Sequence, residues 1–540
     1  MNTMPRPAPA LPLIPENAPF SPEQRAWLNG FFAGLLSPPA DQGNDFSAAA
    51  LAPGQVFSMP DGGGAPWHDP ALPLSERMKL AEGHPLPRRM MAAMAQQDCG
   101  QCGYNCEDYA SAIASQAEER LNLCVPGGKE TARMLKALVE EMGGGAIDPG
   151  QAKIKADAHE AARARDADAQ PGYSRNNPAE AVFLTRKKLN REGSEKATYH
   201  IEFDISEAAL EYTPGDSFGI FPLNDEGLVD QVIAAIGAPP DFPIGEKTLR
   251  SVLREDVSLG PAPDMLFELI SYIKGGVSRA KAKALAKGED PDGDASALDV
   301  LGAIEKFSRL RPDPEAFVEA LDPLQPRLYS IASSPRACPG RIALTIDHVR
   351  YTLAGRERFG AASTFACRAL QPGDRVKVYV QRAHDFALPV NNDTPIIMVG
   401  PGTGIAPFRA FLQERMARKA QGPAWLFFGH QRQAADFFYE DELQGFIAAG
   451  ILSKLSLAWS RDGASKVYVQ DKMREEAASL WDWISNGAHF YVCGDAKRMA
   501  ADVERALVEI CAEQGEMSQD SAKAFVKDLR AQKRYQTDVY

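Results

Sequence analysis

Long apolar runs are missing from this sequence. None of its 540 residues belongs to a stretch approaching the roughly 18 consecutive apolar residues of a membrane-crossing helix, so no membrane partner is expected. An excess of basic charge is missing too. Lys and Arg number 59 against 72 Asp and Glu, a net charge of −13, which argues against a nucleic-acid partner, since that would call for a basic face. An acidic docking face for a basic protein partner fits better. The opening MNTMPRPAPALPLIP lacks the basic, apolar, small-residue order of a secretion signal, and the cytoplasm is the expected compartment. Cysteine is sparse and uneven: of eight, four fall at 99, 102, 106 and 124, and the others are scattered singly from Cys338 onward. Disulfide scaffolds belong to short secreted chains, whereas thiols clustered in a long chain point to a metal centre. What is present, 44% hydrophobic and 24% charged residues, excludes a disordered or collagen-like chain.

The texture changes several times along the chain. Residues 1–78 are rich in Pro, Ala and Gly, with one island: Ser21-Pro22-Glu23 signals a helix start, and Trp27, Leu28, Phe31, Phe32 and Leu35 follow at helical spacing. The expected helix at 21–37 is a candidate oligomer contact, or packs on its own chain. Residues 79–145 read as helices around the clustered cysteines, and 146–176 as a polar linker. Strand-like runs at 180–189 and 198–204, and the alternation of Ile342, Leu344 and Ile346 and of Val376, Val378 and Val380, predict an antiparallel β-barrel over 177–390. A helical insert is expected at about 225–320. From 391 to 540 strands and helices alternate, the form of a parallel α/β sheet.

The strongest local signal is the apolar run Ile396–Val399 leading into glycines 400, 402 and 404, with a helix start near Pro407. Exposed N–H groups and a positive dipole at such a helix start suit a pyrophosphate, and a tight strand–helix turn is the plainer alternative. Downstream, Ser460, Arg461 and Lys466 bring a hydroxyl and two cations to one loop beside the ring of Tyr468. That set suits a phosphomonoester next to adenine, although a solvated charged loop would look the same by spacing alone.

Seven ordered motifs carry a resemblance: RLYS at 327–330, RFGAASTF at 358–365, GPGTGIAPFRAFLQER at 400–415, FFGHQR…DFFYEDEL at 427–443, SRDGASKVYVQD at 460–471, YVCGDAKRMAADV at 491–503 and RYQTDVY at 534–540. From about residue 177 the chain resembles the diflavin-reductase branch of the ferredoxin–NADP+ reductase family, in particular the flavoproteins that serve sulfite reductases. The resemblance implies an FAD-binding barrel, an NADP-binding domain and NADPH-dependent oxidoreductase activity. It implies that Arg327 meets the FAD phosphates, that Leu328, Tyr329 and Ser330 lie along the isoalloxazine, and that Gly360, Ala361, Ala362 and Ser363 wrap the pyrophosphate. Thr345, Ile346, Asp347 and Tyr351 would also line FAD. Gly402, Thr403, Ser460, Arg461, Lys466, Tyr468, Gln470 and Asp502 would hold NADPH. Tyr540 would shield the flavin, with Ser330, Cys493 and Asp538 around the transferred hydride. Cys493 read by itself, after an apolar strand, is more often a buried core thiol.

One part of that pattern is missing. Residues 1–176 contain no phosphate-holding Ser/Thr/Gly loop and no alternating strands and helices of an FMN domain, so no FMN is expected. In its place Cys99, Cys102, Cys106 and Cys124 follow a C-x2-C-x3-C-x17-C spacing, which resembles the small four-cysteine iron–sulfur domain of bacterial electron-transport and corrinoid proteins. The spacing suits a [4Fe–4S] cluster. Zinc is the alternative, although it favours two CxxC pairs and only one is present. The expected route runs from NADPH through FAD and the cluster to a sulfite reductase hemoprotein (beta) subunit. The rivals are another acceptor (nitrite reductase, a cytochrome or a ferredoxin) and a non-catalytic, zinc-binding redox sensor.

Overall fold

A computed structural model describes residues 66–69, 72–97, 102, 104–116, 118–142 and 170–540 apart from 354, 384 and 497. The helix expected at 21–37, most of the segment 1–78, most of the linker 146–176, and Cys99 lie outside these residues.

Among the described residues four helices carry the cysteine region: α1 (Leu74–Leu80), α2 (Leu86–Ala93), α3 (Cys106–Ala114) and α4 (Gly128–Met142). In α4, Thr131, Leu135 and Leu138 form a buried stripe at helical spacing. It packs with Met90, Met94, Tyr109 and Ile113. Asn105 starts α3 by accepting a hydrogen bond from the Asp108 N–H at 2.7 Å, an N-cap that places Cys106 in the first helical turn.

The strands β1 (Ala179–Lys188), β2 (Thr198–Asp204) and β3 (Ser217–Ile220) come next. Helices then occupy much of the stretch from Glu226 to Glu319, along with the two-residue strands β4 (Pro243–Ile244) and β5 (Lys247–Thr248). The chain returns to the sheet with β6 (Arg327–Ser330) and β7 (Arg341–Asp347), makes a hairpin of β8 (Arg350–Leu353) and β9 (Arg356–Phe359), and adds β10 (Arg375–Gln381). The sheet order is β6-β3-β10-β1-β2-β7, antiparallel throughout. Its outer strands meet where Ile331 bridges Leu344 and the Ala332 N–H donates to the Ala343 carbonyl at 2.7 Å. The period-two residues Ile342, Leu344, Ile346, Val376, Val378 and Val380 all face one core, as alternating side chains on a pleated strand must.

The second sheet has the order β13-β12-β11-β14-β15 and is parallel throughout. Its strands are β11 (Ile396–Val399), β12 (Ala424–His430), β13 (Lys454–Trp459), β14 (His489–Gly494) and β15 (Tyr535–Val539). In β11, Ile397 and Val399 enter one apolar cluster while Ile396 and Met398 enter another. Burial of both faces explains why the strand is continuously apolar. The order reverses between β11 and β14, and ligands of such sheets lie at that crevice, beyond the carboxyl ends of the strands. No helix among the described residues is long and apolar enough to cross a membrane.

Candidate active site

Four residues separated by up to 210 positions converge at the carboxyl end of the parallel sheet. β14 and β15 pair in register at Cys493 and Asp538. Asp538 Oδ2 accepts from Ser330 Oγ at 2.5 Å and from Cys493 Sγ at 3.6 Å. Ser330 ends β6 of the antiparallel sheet, so this carboxylate ties the two sheets together. Burial pushes the Asp538 carboxyl above the usual carboxylate range, against the two hydrogen bonds that hold it down. Burial, and then the neighbouring Asp538, push the Cys493 thiol well up, so it stays protonated. The chain then ends across the glycine turn: the Tyr540 N–H donates to the Gly494 carbonyl at 3.0 Å, and its hydroxyl meets Thr403 Oγ1 at 2.7 Å. The Tyr540 side chain is 43% exposed.

The glycine turn itself is dictated by close approach. Gly402 has φ +60°, and a Cβ on Gly404 would collide with the Cys493 carbonyl, so the loop lies flat on β14 only with glycine there. A short 3-10 turn, Gly402–Ile405, leads into the helix Ala406–Arg418 with Pro407 in its first turn.

After β13 Ser460 and Arg461 are fixed by their backbone, and Lys466 is exposed farther along the same loop. The Ser460 and Arg461 N–H groups donate to the carbonyls of His430 and Gln431 at 3.0 and 2.8 Å. Arg432, which the sequence reading did not single out, adds a third cation here, donating to the Arg461 carbonyl at 3.1 Å. Tyr468 caps the helix Val469–Glu475 and leaves its ring 45% exposed. Gln470 follows in the first turn of that helix, and Asp502, in the first turn of the helix Met499–Gln514, pairs with Arg505 at 3.1 Å.

On the antiparallel side, Arg327, Leu328 and Tyr329 are half-buried along β6. Gly360 opens the short helix Ala361–Thr364. Ser363 Oγ donates to the Gly360 carbonyl and accepts from the Val349 N–H, both at 3.1 Å, so this hydroxyl is already used in shaping the turn. Tyr351, on the hairpin β8–β9, is 48% exposed and lines a cleft with Arg358, Gly360 and Ala361. Arg358 anchors that hairpin to the helical segment through Asp299 at 2.5 Å. Along Thr345–Asp347 each side chain has a place within the fold. Thr345 Oγ1 hydrogen-bonds Tyr439 at 2.6 Å, Ile346 packs into the sheet core, and Asp347 pairs with Lys196 and Thr198.

Buried charges that no periodicity reveals hold the two sheets together. Arg409 donates to the Ala332 carbonyl at 2.6 Å and in a fork to Glu442 at 2.8 and 3.0 Å. Glu414 accepts from Ser334 Oγ at 2.5 Å and pairs with Arg336 and Arg418. Both lie on the helix Ala406–Arg418, buried on nearly every side.

Cys102, Cys106 and Cys124 line one small cavity with Tyr104, Tyr109 and Pro126. Burial pushes the Cys124 thiol up, while the N–H groups of Ala95 and Gly127 and the Arg77 guanidinium draw it down. Arg77 is 6% exposed and donates to the carbonyls of Ala92 and Leu72 at 3.1 and 3.2 Å. A Cβ on Gly127 would strike Thr131 and come within 3.1 Å of the Cys124 sulfur. N–H donors, a buried cation and a helix start behind Cys106 suit anionic sulfur. Among the described residues no group of three His, Cys, Asp or Glu is placed to hold a metal ion, and the fourth cysteine, Cys99, lies outside them. The cysteine region rests on the helical segment through the fork of Arg133 on Asp264 (2.8 and 2.8 Å) and the bond of Asn122 to Asp322 (2.8 Å).

Residues 171–301 match the FAD binding domain family and residues 398–505 the oxidoreductase NAD-binding domain family. The chain is similar to the sulfite reductase [NADPH] flavoprotein alpha-components of Salmonella typhi and Escherichia coli O9:H4 (strain HS), each 41% identical over 375 residues, and of Klebsiella pneumoniae subsp. pneumoniae, 40% identical over 378 residues. These alignments cover 68% of this chain and 62% of each relative, so the chain spans under two thirds of the length of the curated relatives it matches.

Proposed function

We propose that this chain, whose residues from about 171 onward form a reductase module of the ferredoxin–NADP+ reductase type, is an NADPH-dependent flavoprotein reductase. It passes electrons from NADPH, by way of FAD and a four-cysteine [4Fe–4S] centre, to a sulfite reductase hemoprotein subunit in the cytoplasm. When bound, FAD takes the electron pair of NADPH as hydride and releases it singly, and an iron–sulfur cluster carries single electrons.

The chain's own residues do the positioning. Arg461, Lys466 and Ser460 bind the 2′-phosphate of NADPH, Tyr468 stacks on the adenine, Gln470 and Asp502 complete that pocket, and Gly402 and Thr403 receive the pyrophosphate. Arg327 and Gly360–Ser363 hold the FAD phosphates, with Thr345, Ile346, Asp347 and Tyr351 along the rest of that cofactor. Tyr329 and Ser330 flank the isoalloxazine, and Tyr540 covers its face until nicotinamide displaces it. Ser330, Cys493 and Asp538 exclude water from the reacting face and keep one polar network aimed at it. The cysteines of 79–145 would hold the group that fills the single-electron role FMN has in diflavin reductases. The remaining boundaries follow: a linker at 146–176, an FAD-binding barrel at 177–390 with its insert at about 225–320, and an NADP-binding domain at 391–540.

The observation that carries this reading is the hydrogen bond of Ser330 to Asp538, which brings the flavin-side strand against the nicotinamide-side sheet. The acceptor is tested by mixing the purified chain and NADPH with purified hemoproteins. Sulfide formed with a sulfite reductase hemoprotein supports it. Equal or faster turnover of a nitrite reductase, cytochrome or ferredoxin, with no sulfide, moves the activity to another client.

A further inference from the structure

The loop expected to hold the 2′-phosphate already holds a carboxylate. Glu195, in the turn between β1 and β2, forms an ion pair through its Oε1 with Arg461 Nη1. Both ends of that turn are fastened. Asn190 donates to Asp436 Oδ1 at 2.8 Å, the Arg191 N–H donates to the Ala435 carbonyl at 2.8 Å, and Lys196 pairs with Asp347 at 3.1 Å. The Arg461 backbone is held equally, to Gln431 and Arg432. Glu195 is therefore delivered to Arg461 by structure on both sides, although the pair itself is partly exposed, at 59% and 40%.

We propose that Glu195 is a specificity-determining residue, whose carboxylate competes with the 2′-phosphate of NADPH for Arg461. This deepens the NADPH reading above and rests on it. Binding then exchanges an internal ion pair for one to the ligand. A phosphomonoester, with a charge near −2 and three acceptor oxygens, displaces a single carboxylate from a guanidinium. A nucleotide that ends in a 2′-hydroxyl does not, and finds the cation neutralised. Glu195 thus lowers the affinity for the nucleotide that uses Arg461, the one with the 2′-phosphate, and leaves one ending in a 2′-hydroxyl unaffected, which narrows the preference between the two. An exposed pair of this kind is weak, so the effect is graded rather than absolute.

The test is calorimetric titration of the full chain with 2′,5′-ADP and with 5′-ADP, for the parent, Glu195→Gln, Arg461→Ala and the double variant. Far-UV circular dichroism and bound flavin content serve as folding checks. Glu195→Gln is expected to tighten 2′,5′-ADP binding by about two- to fivefold, to leave 5′-ADP unchanged, and to have no effect once Arg461 is Ala. If Arg461→Ala weakens 2′,5′-ADP while Glu195→Gln leaves it unchanged or weaker, the competition is refuted and the NADPH reading stands. If Arg461→Ala leaves 2′,5′-ADP binding intact, the NADPH reading of this loop fails, and the competition with it.

Discussion

Ser330 donates its hydroxyl hydrogen to Asp538 at 2.5 Å across the boundary between the antiparallel and the parallel sheet. Cys493 donates to the same carboxylate oxygen from the neighbouring strand. One carboxylate thus fixes the distance between the elements that would carry flavin and nicotinamide, and a shift of about 1 Å at such a point is enough to slow a reaction by two orders of magnitude.

Asp538→Asn should therefore slow hydride transfer from NADPH to FAD by about tenfold to a hundredfold, read as the rate of flavin bleaching in a stopped-flow experiment. Stability should move the other way. Burial raises the folded-state pKa of Asp538 above its ordinary value of 3.8. Its contribution is then present below that value and is lost as pH rises through the folded one. At about pH 7 to 8 the Asn variant should melt higher than the parent, and the gap should close toward about pH 4. A gap that widens on acidification would contradict this.

The Cys493 thiol, held protonated by burial and by Asp538, should resist iodoacetamide in the native protein at about pH 8 and react once the chain is denatured. Peptide mass spectrometry reads the difference. Alkylation of native Cys493 at the rate of an exposed thiol would show that the site is open to solvent.

Replacing Arg461 and Lys466 together with Ala should raise KM for NADPH by about tenfold to a hundredfold while changing that for NADH little. Steady-state kinetics with both nucleotides checks this, and equal effects would remove the 2′-phosphate assignment.

Gly127→Ala places a methyl group against Thr131 and the Cys124 sulfur. Iron and acid-labile sulfide per chain should fall, as they should in Cys124→Ser, while the NADPH-driven bleaching of flavin continues. Recovery of stoichiometric zinc without sulfide would identify the other metal.

The docking fork of Arg133 on Asp264 is partly exposed, so it should be sensitive to salt. Arg133→Ala, or added salt, should slow electron delivery from flavin to the cysteine centre by about two- to fivefold, with flavin reduction by NADPH unchanged. Rapid-freeze EPR separates the two steps.

Much of the framework was legible because it is local. β7 and β10 show in the alternation of Ile342 to Ile346 and Val376 to Val380, since one face of each meets the core. β11 shows as an unbroken apolar run because both of its faces are covered. The glycine turn was legible for a steric reason, the approach of Gly404 to Cys493. The charges that join the two halves were not. Arg409 and Glu414 meet Ala332 and Ser334 some 77 to 80 positions away, and a helix buried all round carries no amphipathic signal. Glu195 was hidden in the same way, because nothing in a hairpin turn announces a partner in a loop after β13. The bond of the Thr345 hydroxyl to Tyr439 was hidden too, because spacing along a strand tells which face a residue takes but not what covers that face.

The central claim is an internal relay from NADPH to a cysteine-held cluster. It is tested most directly by adding NADPH anaerobically to the purified full chain while recording the flavin spectrum and low-temperature EPR together. The account predicts that flavin bleaches and that a reduced-cluster signal rises with it, in protein that contains about four irons and four sulfides per chain. Bleaching without any cluster signal, in protein that lacks iron and sulfide, would contradict it.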